Sequence, residues 1–169
     1  KVYLMHFETP PNDRHASAAC LAALDLCSEL DSLPWELLGP GGRRPRTRIG
    51  IESGDAVAGM VGSRGAAHYT VMGDVVVTAS RLEGANKVYG TGLLIGEGCH
   101  AGVRDEVLAR EVDLVVLKGK TRPVRVFEPL ARMSEASPAV RERIETYARG
   151  PRPTGATGSA RARSVRRAR

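Results

Sequence analysis

The sequence predicts an α+β fold, a sheet with helices packed on one face. Three observations carry that prediction. Short aliphatic runs alternate along the chain with two longer stretches of helical spacing. Gly, Pro, Asn and Asp punctuate the boundaries between them. The third is size and composition: 169 residues, 42% hydrophobic and 26% charged, suit one globular domain. Aromatics make up only 4%, so Val, Leu, Ile and Ala must form the core.

Each element has its own signal. Val2 to Phe7 is a short apolar strand, broken by Pro10, Pro11, Asn12 and Asp13. Ala16 to Leu30 carries Ala and Leu at helical spacing. Leu38 to Pro45 is a Gly/Pro/Arg loop. Arg48 to Glu52 and Ala56 to Val61 read as two strands of a hairpin, turned at Gly54-Asp55. His68 to Met72 is a further strand. A helix follows from Gly73-Asp74 to about Asn86, with Asp74 suited to the N-cap and a turn within Gly84 to Gly92. Gly92 to Ile95 is a strand, and Val112 to Leu117 with Val124 to Phe127 form a last hairpin. Pro138 to Tyr147 reads as a short helix.

Charge is unevenly placed. The formal net charge is +6, and six arginines in residues 151–169, a stretch without an acid or a lysine, account for all of it. A solvated, disordered tail is the plain reading; contact with acidic lipid or nucleic acid is the other. Cys20, Cys27 and Cys99 lack metal-type spacing, so core packing in a reducing cytoplasm is expected. No apolar run approaches the roughly 20 residues of a membrane span. The chain opens at Lys1 rather than Met, which suggests a piece of a longer protein; a membrane anchor could lie upstream.

Four blocks then fall in order. They are RIGIESGDAVAGMVGS (Arg48 to Ser63), HYTVMGDVVVTASRLEGANK (His68 to Lys87), YGTGLLIGEG (Tyr89 to Gly98) and LKGKTRPVRVFEPL (Leu117 to Leu130). Together they resemble the C-terminal two-thirds of a class III adenylate/guanylate cyclase catalytic domain. The resemblance implies that family's ferredoxin-like sheet, with its N-terminal part missing here. It also implies conversion of ATP to 3′,5′-cyclic AMP and pyrophosphate in intracellular signalling. The expected organisation is a partial catalytic domain over residues 1–132, an extension over 133–150 and the Arg-rich tail over 151–169.

Cyclisation needs an activated ribose hydroxyl, a cradle for a polyanion and positive charge where the α-phosphoryl oxygens gain negative charge. The resemblance assigns these tasks residue by residue. Arg81 falls on the arginine that meets the α-phosphoryl group, a task suited to a forked and permanently charged guanidinium. A surface arginine paired with a neighbour such as Glu83 is the alternative. Thr70 falls on a base-reading position and tilts the choice toward ATP. Lys118 falls on the lysine that reaches the triphosphate, whereas Lys120 reads as solvent-facing.

Val77 departs from the pattern. The family carries an asparagine there, thought to orient the ribose, and valine has no polar group. The metal ligands are also absent: the resemblance implies two Mg²⁺ or Mn²⁺ ions held by two aspartates, both lying before Lys1. Glu52 and Asp55 sit at a turn and are not expected to replace them. His6, His15, His68 and His100 lack ligand spacing. The family assembles its site at a head-to-tail dimer interface, so a homodimer or a cyclase-domain heterodimer is expected.

Two readings stay open. One is an adenylate-type cyclase, inactive as this fragment alone. The other is a degenerate cyclase-homology domain serving regulation or dimerisation, which Val77 favours. A nucleic-acid binder fits poorly, because sheets that read single-stranded RNA need stacking aromatics. The strands here offer Ile49, Ile51, Leu93, Leu94, Val115 and Val116. The resemblance implies a cytoplasmic domain, touching membrane only through upstream segments or the basic tail.

Overall fold

The computed structural model describes residues 14–34, 46–63, 65–116, 122–138 and 142. The expected strand at 2–7, the helix beyond Pro138, the loop at 38–45 and the tail lie outside or mostly outside these residues. Nine elements follow one another among the described residues: α1 (His15–Ser32), β1 (Ile49–Ile51), β2 (Val57–Val61), β3 (His68–Met72), α2 (Asp74–Tyr89), β4 (Leu93–Gly96), α3 (Glu97–Val103), β5 (Val107–Val115) and β6 (Val124–Arg132). The class is α+β, as the sequence predicts.

Four strands form a mixed sheet in the order β1-β4-β6-β5. β1 runs parallel to β4, with Ile49 opposite Leu93 and Ile51 opposite Ile95. β6 is antiparallel to both β4 and β5. The expected hairpin over 48–61 does not form. β2 turns away from β1 and pairs with β3 in a separate antiparallel ribbon. A Gly-Asp turn signal marks a change of direction, but strand pairing is decided by which faces can be buried together.

Alternation along β4 divides the core. Leu93 and Ile95 point to one face, where they pack with Ala16, Cys20 and Ala23 of α1 and Cys99 and Val103 of α3. Leu94 points to the other, where it meets Leu82 and Ala85 of α2 together with Val112, Val115 and Val126. α1 and α3 therefore cover one face of the sheet and α2 covers the other, whereas the sequence places its two long helices on one face. Every residue of β4 is buried, as befits a strand sandwiched between two layers.

Local chemistry sets the ends of the helices. Leu33 is extended (φ −64°, ψ 135°) because Pro34 follows it, and α1 stops there. The N-cap of α2 falls one residue earlier than expected, at Gly73, which puts Asp74 in the first turn, where its charge still suits the helix dipole. The helix also runs past Gly84 to Tyr89. The interior glycine costs about 1 kcal/mol in helix propensity, but the burial of Leu82, Ala85 and Asn86 around it holds the turn. Gly90 closes the helix in the left-handed region (φ 70°), and its amide donates to the Asn86 carbonyl.

α3 has no counterpart in the sequence reading. Its first turn is tied by Glu52, whose Oε1 accepts the Cys99 amide at 3.0 Å and the Ser53 amide at 3.0 Å. Gly96 and Gly98 leave the room this carboxylate and the Ser53 carbonyl occupy. β5 begins at Val107, earlier than expected, and β6 continues to Arg132. Register shifts interrupt β5 between Leu108 and Ala109 and between Glu111 and Asp113, which hides its alternation in sequence. Among the described residues no helix is long and apolar enough to cross a membrane.

Candidate active site

The β3–Gly73–α2 segment carries three of the residues singled out by sequence. Thr70 lies in β3 opposite Gly59 of β2. It is half-buried, and Gly59 offers no side chain beside it. The hydroxyl of Thr70 makes no hydrogen bond with any described residue, so it is free to receive one. Val77 and Arg81 follow on α2, one helical turn apart and on the same face. Val77 is 47% exposed. Arg81 is exposed and makes no ion pair with any described residue. Lys118 and Lys120 lie outside the described residues.

The alternative partner proposed for Arg81 is taken elsewhere. Glu83 Oε1 accepts from Arg48 Nε at 2.9 Å. Helix geometry agrees, since residues two apart point to opposite sides. Arg81 thus presents its guanidinium outward while Glu83 faces β1. The opposite flank of α2 is fixed by a buried amide. Asn86 Nδ2 donates to the Ile49 carbonyl at 2.8 Å and to the Leu82 carbonyl at 3.1 Å, while Oδ1 accepts from Thr91 Oγ1 at 2.7 Å. Tyr89 adds a hydrogen bond to Asp113 Oδ2 at 2.9 Å. The sequence reading passed over Asn86; its signal is a polar side chain one turn after Leu82 on the buried face.

The ribbon beside this helix is unusually apolar on its outside. Val57, Met60, Val61, Tyr69 and Met72 are all exposed. By register, Val57 and Met72 share one face, and Met60 and Tyr69 share the other. A lone two-stranded ribbon is marginal in water, and this one exposes apolar groups on both faces.

Several other titratable groups are tied into the fold. His15 Nε2 lies 2.6 Å from Ser53 Oγ and ties the start of α1 to the end of β1. His100 stacks on Phe127, with centroids 3.7 Å apart and planes within 4°. Burial pushes its imidazole below its ordinary value. Burial also pushes the Cys20 thiol up to about 11 and raises those of Cys99 and Cys27, as expected for packing cysteines. Glu52 is committed to backbone amides. Among the described residues, no group of three or more His, Cys, Asp or Glu could hold a metal ion. The donors among the described residues do not fit a two-metal centre.

Comparison with known proteins now bears on this arrangement. The family described as "Adenylate and Guanylate cyclase catalytic domain" matches residues 1–123. Adenylate cyclase 1 of Rhizobium meliloti (strain 1021) is 37% identical over 127 residues, which is 75% of this chain and 19% of that protein. The chain therefore spans about a fifth of that relative. Among solved structures, the adenylyl cyclase CyaB from P. aeruginosa aligns with a TM-score of 0.64 at 25% identity, covering 73% of this chain and 63% of that one. The guanylate cyclase domain of RhGC from Catenaria anguillulae, in complex with GTP, aligns with a TM-score of 0.58 at 26% identity, covering 72% and 62%. The free arginine on α2, the Thr70 strand before it and the fold that carries both sit within the matched residues, and the chain belongs to the class III adenylate and guanylate cyclase catalytic domain family.

Proposed function

We propose that this chain is part of a catalytic domain that converts ATP to 3′,5′-cyclic AMP and pyrophosphate. The observation that carries the reading is the uncommitted guanidinium of Arg81 on a helix whose nearby carboxylate, Glu83, is already paired with Arg48. In the reaction the ribose 3′-oxygen forms a bond to the α-phosphorus, and the bond from that phosphorus to the bridging oxygen breaks. The 3′-hydroxyl gives up its proton, and pyrophosphate leaves with the electron pair. Arg81 faces the charge that gathers on the α-phosphoryl oxygens, where a preorganised cation acts most strongly. The Thr70 hydroxyl oxygen accepts from the adenine amino group, a donor that guanine lacks at that position. Lys118 reaches the triphosphate. The family's two divalent ions would supply Lewis-acid charge at the phosphates, and the described residues contribute charge and hydrogen bonds. The fragment by itself is inactive.

A dimer completes the site. The exposed apolar ribbon of Val57, Met60, Tyr69 and Met72 supports a partner cyclase domain, identical or not, packed head to tail against it. A second reading, a regulatory cyclase-homology domain, draws on Val77, whose isopropyl group cannot hold a ribose hydroxyl. Cyclic-nucleotide production by the full-length protein, with Mg²⁺ or Mn²⁺ and with ATP or GTP, separates the two. Production of cyclic AMP that collapses in Arg81→Ala supports the enzyme. No product from either nucleotide supports the regulatory module, and activity undiminished in Arg81→Ala removes that arginine from the mechanism.

A further inference from the structure

Resting on that reading of Arg81, we infer that Arg48 is a positioning residue for it, acting through Glu83 and the seating of α2 on β1. Three consecutive residues at the start of β1 hold the helix. Arg48 Nε donates to Glu83 Oε1 at 2.9 Å. The Ile49 carbonyl accepts from Asn86 Nδ2 at 2.8 Å. Gly50 lacks a Cβ, and one built there would fall on the Ala79 carbonyl and the Glu83 amide. The points of attachment on α2 are thus residues 79, 83 and 86, spaced as one face of a helix. Arg81 lies two residues from both Ala79 and Glu83, which places it on the opposite face.

The geometry turns this attachment into a control on Arg81. A helix seated on one face is fixed in rotation about its axis, and that rotation aims the side chains on the other face. Asn86 and Gly50 fix how close the helix lies. Arg48 grips it at Glu83, two residues from the guanidinium to be aimed. The pair is partly exposed, with side chains 38% and 31% accessible, so it adds little to global stability. Its worth lies in orientation, where small misplacements cost rate.

Steady-state kinetics of the full-length protein with ATP and Mn²⁺ tests the inference. Arg48→Ala and Glu83→Ala should each lower kcat about five- to tenfold with KM within about twofold, the pattern of an interaction used in the transition state. The exchange variant Arg48→Glu/Glu83→Arg should recover to within about threefold of wild type, because it restores the pair. Hydrogen exchange of amides 79–86 should quicken in the single variants and slow again in the exchange variant. Wild-type kcat in the single variants, or an exchange variant as poor as both losses multiplied, overturns the inference. If the wild-type protein makes no cyclic nucleotide, or Arg81→Ala leaves the rate unchanged, the reading of Arg81 fails instead. Hydrogen exchange then still decides whether Arg48 seats α2, and unchanged protection in Arg48→Ala would falsify that seating.

Discussion

Asn86 donates its side-chain amide to the Ile49 carbonyl at 2.8 Å while only 1% of the residue is exposed. Its Oδ1 accepts from Thr91, so one side chain joins α2, β1 and the turn into β4. Asn86→Leu keeps the branched heavy-atom shape and removes every one of these bonds. The Thr91 hydroxyl loses its acceptor and the Ile49 carbonyl loses a donor. Leaving such groups unsatisfied costs about 2–4 kcal/mol. Urea denaturation should show a lower midpoint with an unchanged slope; an unshifted midpoint means water replaces the amide without loss.

Two glycines, one under α2 and one on its exposed side, should respond in opposite directions. At Gly50 a Cβ meets backbone atoms of Ala79 and Glu83, which cannot rotate away. Gly50→Ala should cost about 3 kcal/mol or more, in the manner of an overpacked core. Gly84 is an exposed helix position with nothing within 4 Å of an added Cβ. Gly84→Ala should stabilise by about 0.5–1 kcal/mol, the helix-propensity difference. Thermal melts of the two variants decide the matter, and a destabilised Gly84→Ala would mean that a partner chain already fills that space.

These positions also mark where sequence reading stopped. The helix Ala16 to Leu30 was legible from its Ala and Leu at helical spacing (Ala19, Leu21, Leu24, Leu30), and the structure adds only a residue or two at each end. The tie between Arg81 and its motif was legible because the block is contiguous. The pairing of β1 with β4 was not, since nothing in Arg48 to Val61 records a parallel neighbour beyond α2. α3 escaped notice because its capping carboxylate, Glu52, lies 47 residues from the amide it holds. For the same reason Arg48 and Glu83, 35 residues apart, could not be matched by spacing. Local periodicity reports elements; which elements touch is fixed by burial that only the folded chain displays.

His100 should make stability depend on pH. Burial against Phe127 lowers its folded value below 6.5, with Arg104 pushing the same way and Glu111 and Glu97 opposing. The unfolded chain therefore binds more protons in the window between the folded value and 6.5, so stability rises with pH there. The contribution is fully present above about 6.5 and is lost as pH falls through the folded value. His100→Phe keeps an aromatic ring beside Phe127 and should flatten this part of the profile. Melting temperatures between pH 5 and pH 7.5 test it; an identical slope in the variant assigns the effect to other groups.

Val77 offers the sharpest test of the proposed activity. It is exposed on α2, one turn before Arg81 and on the same face, so a polar group placed there would stand beside the guanidinium rather than in the core. Asparagine costs little at this position, since Val77 is exposed and the change in helix propensity is only a few tenths of a kcal/mol. It supplies both a donor and an acceptor for a ribose hydroxyl. Val77→Asn in the full-length protein should raise kcat by about tenfold or more, the scale of a single positioning hydrogen bond. Melting temperature should stay within a few degrees. A gain that disappears when Arg81→Ala is added places both side chains in one site. A rate that is unchanged or lower, in a variant that melts like wild type, means that the ribose is oriented by the partner subunit or that the domain has no catalytic role.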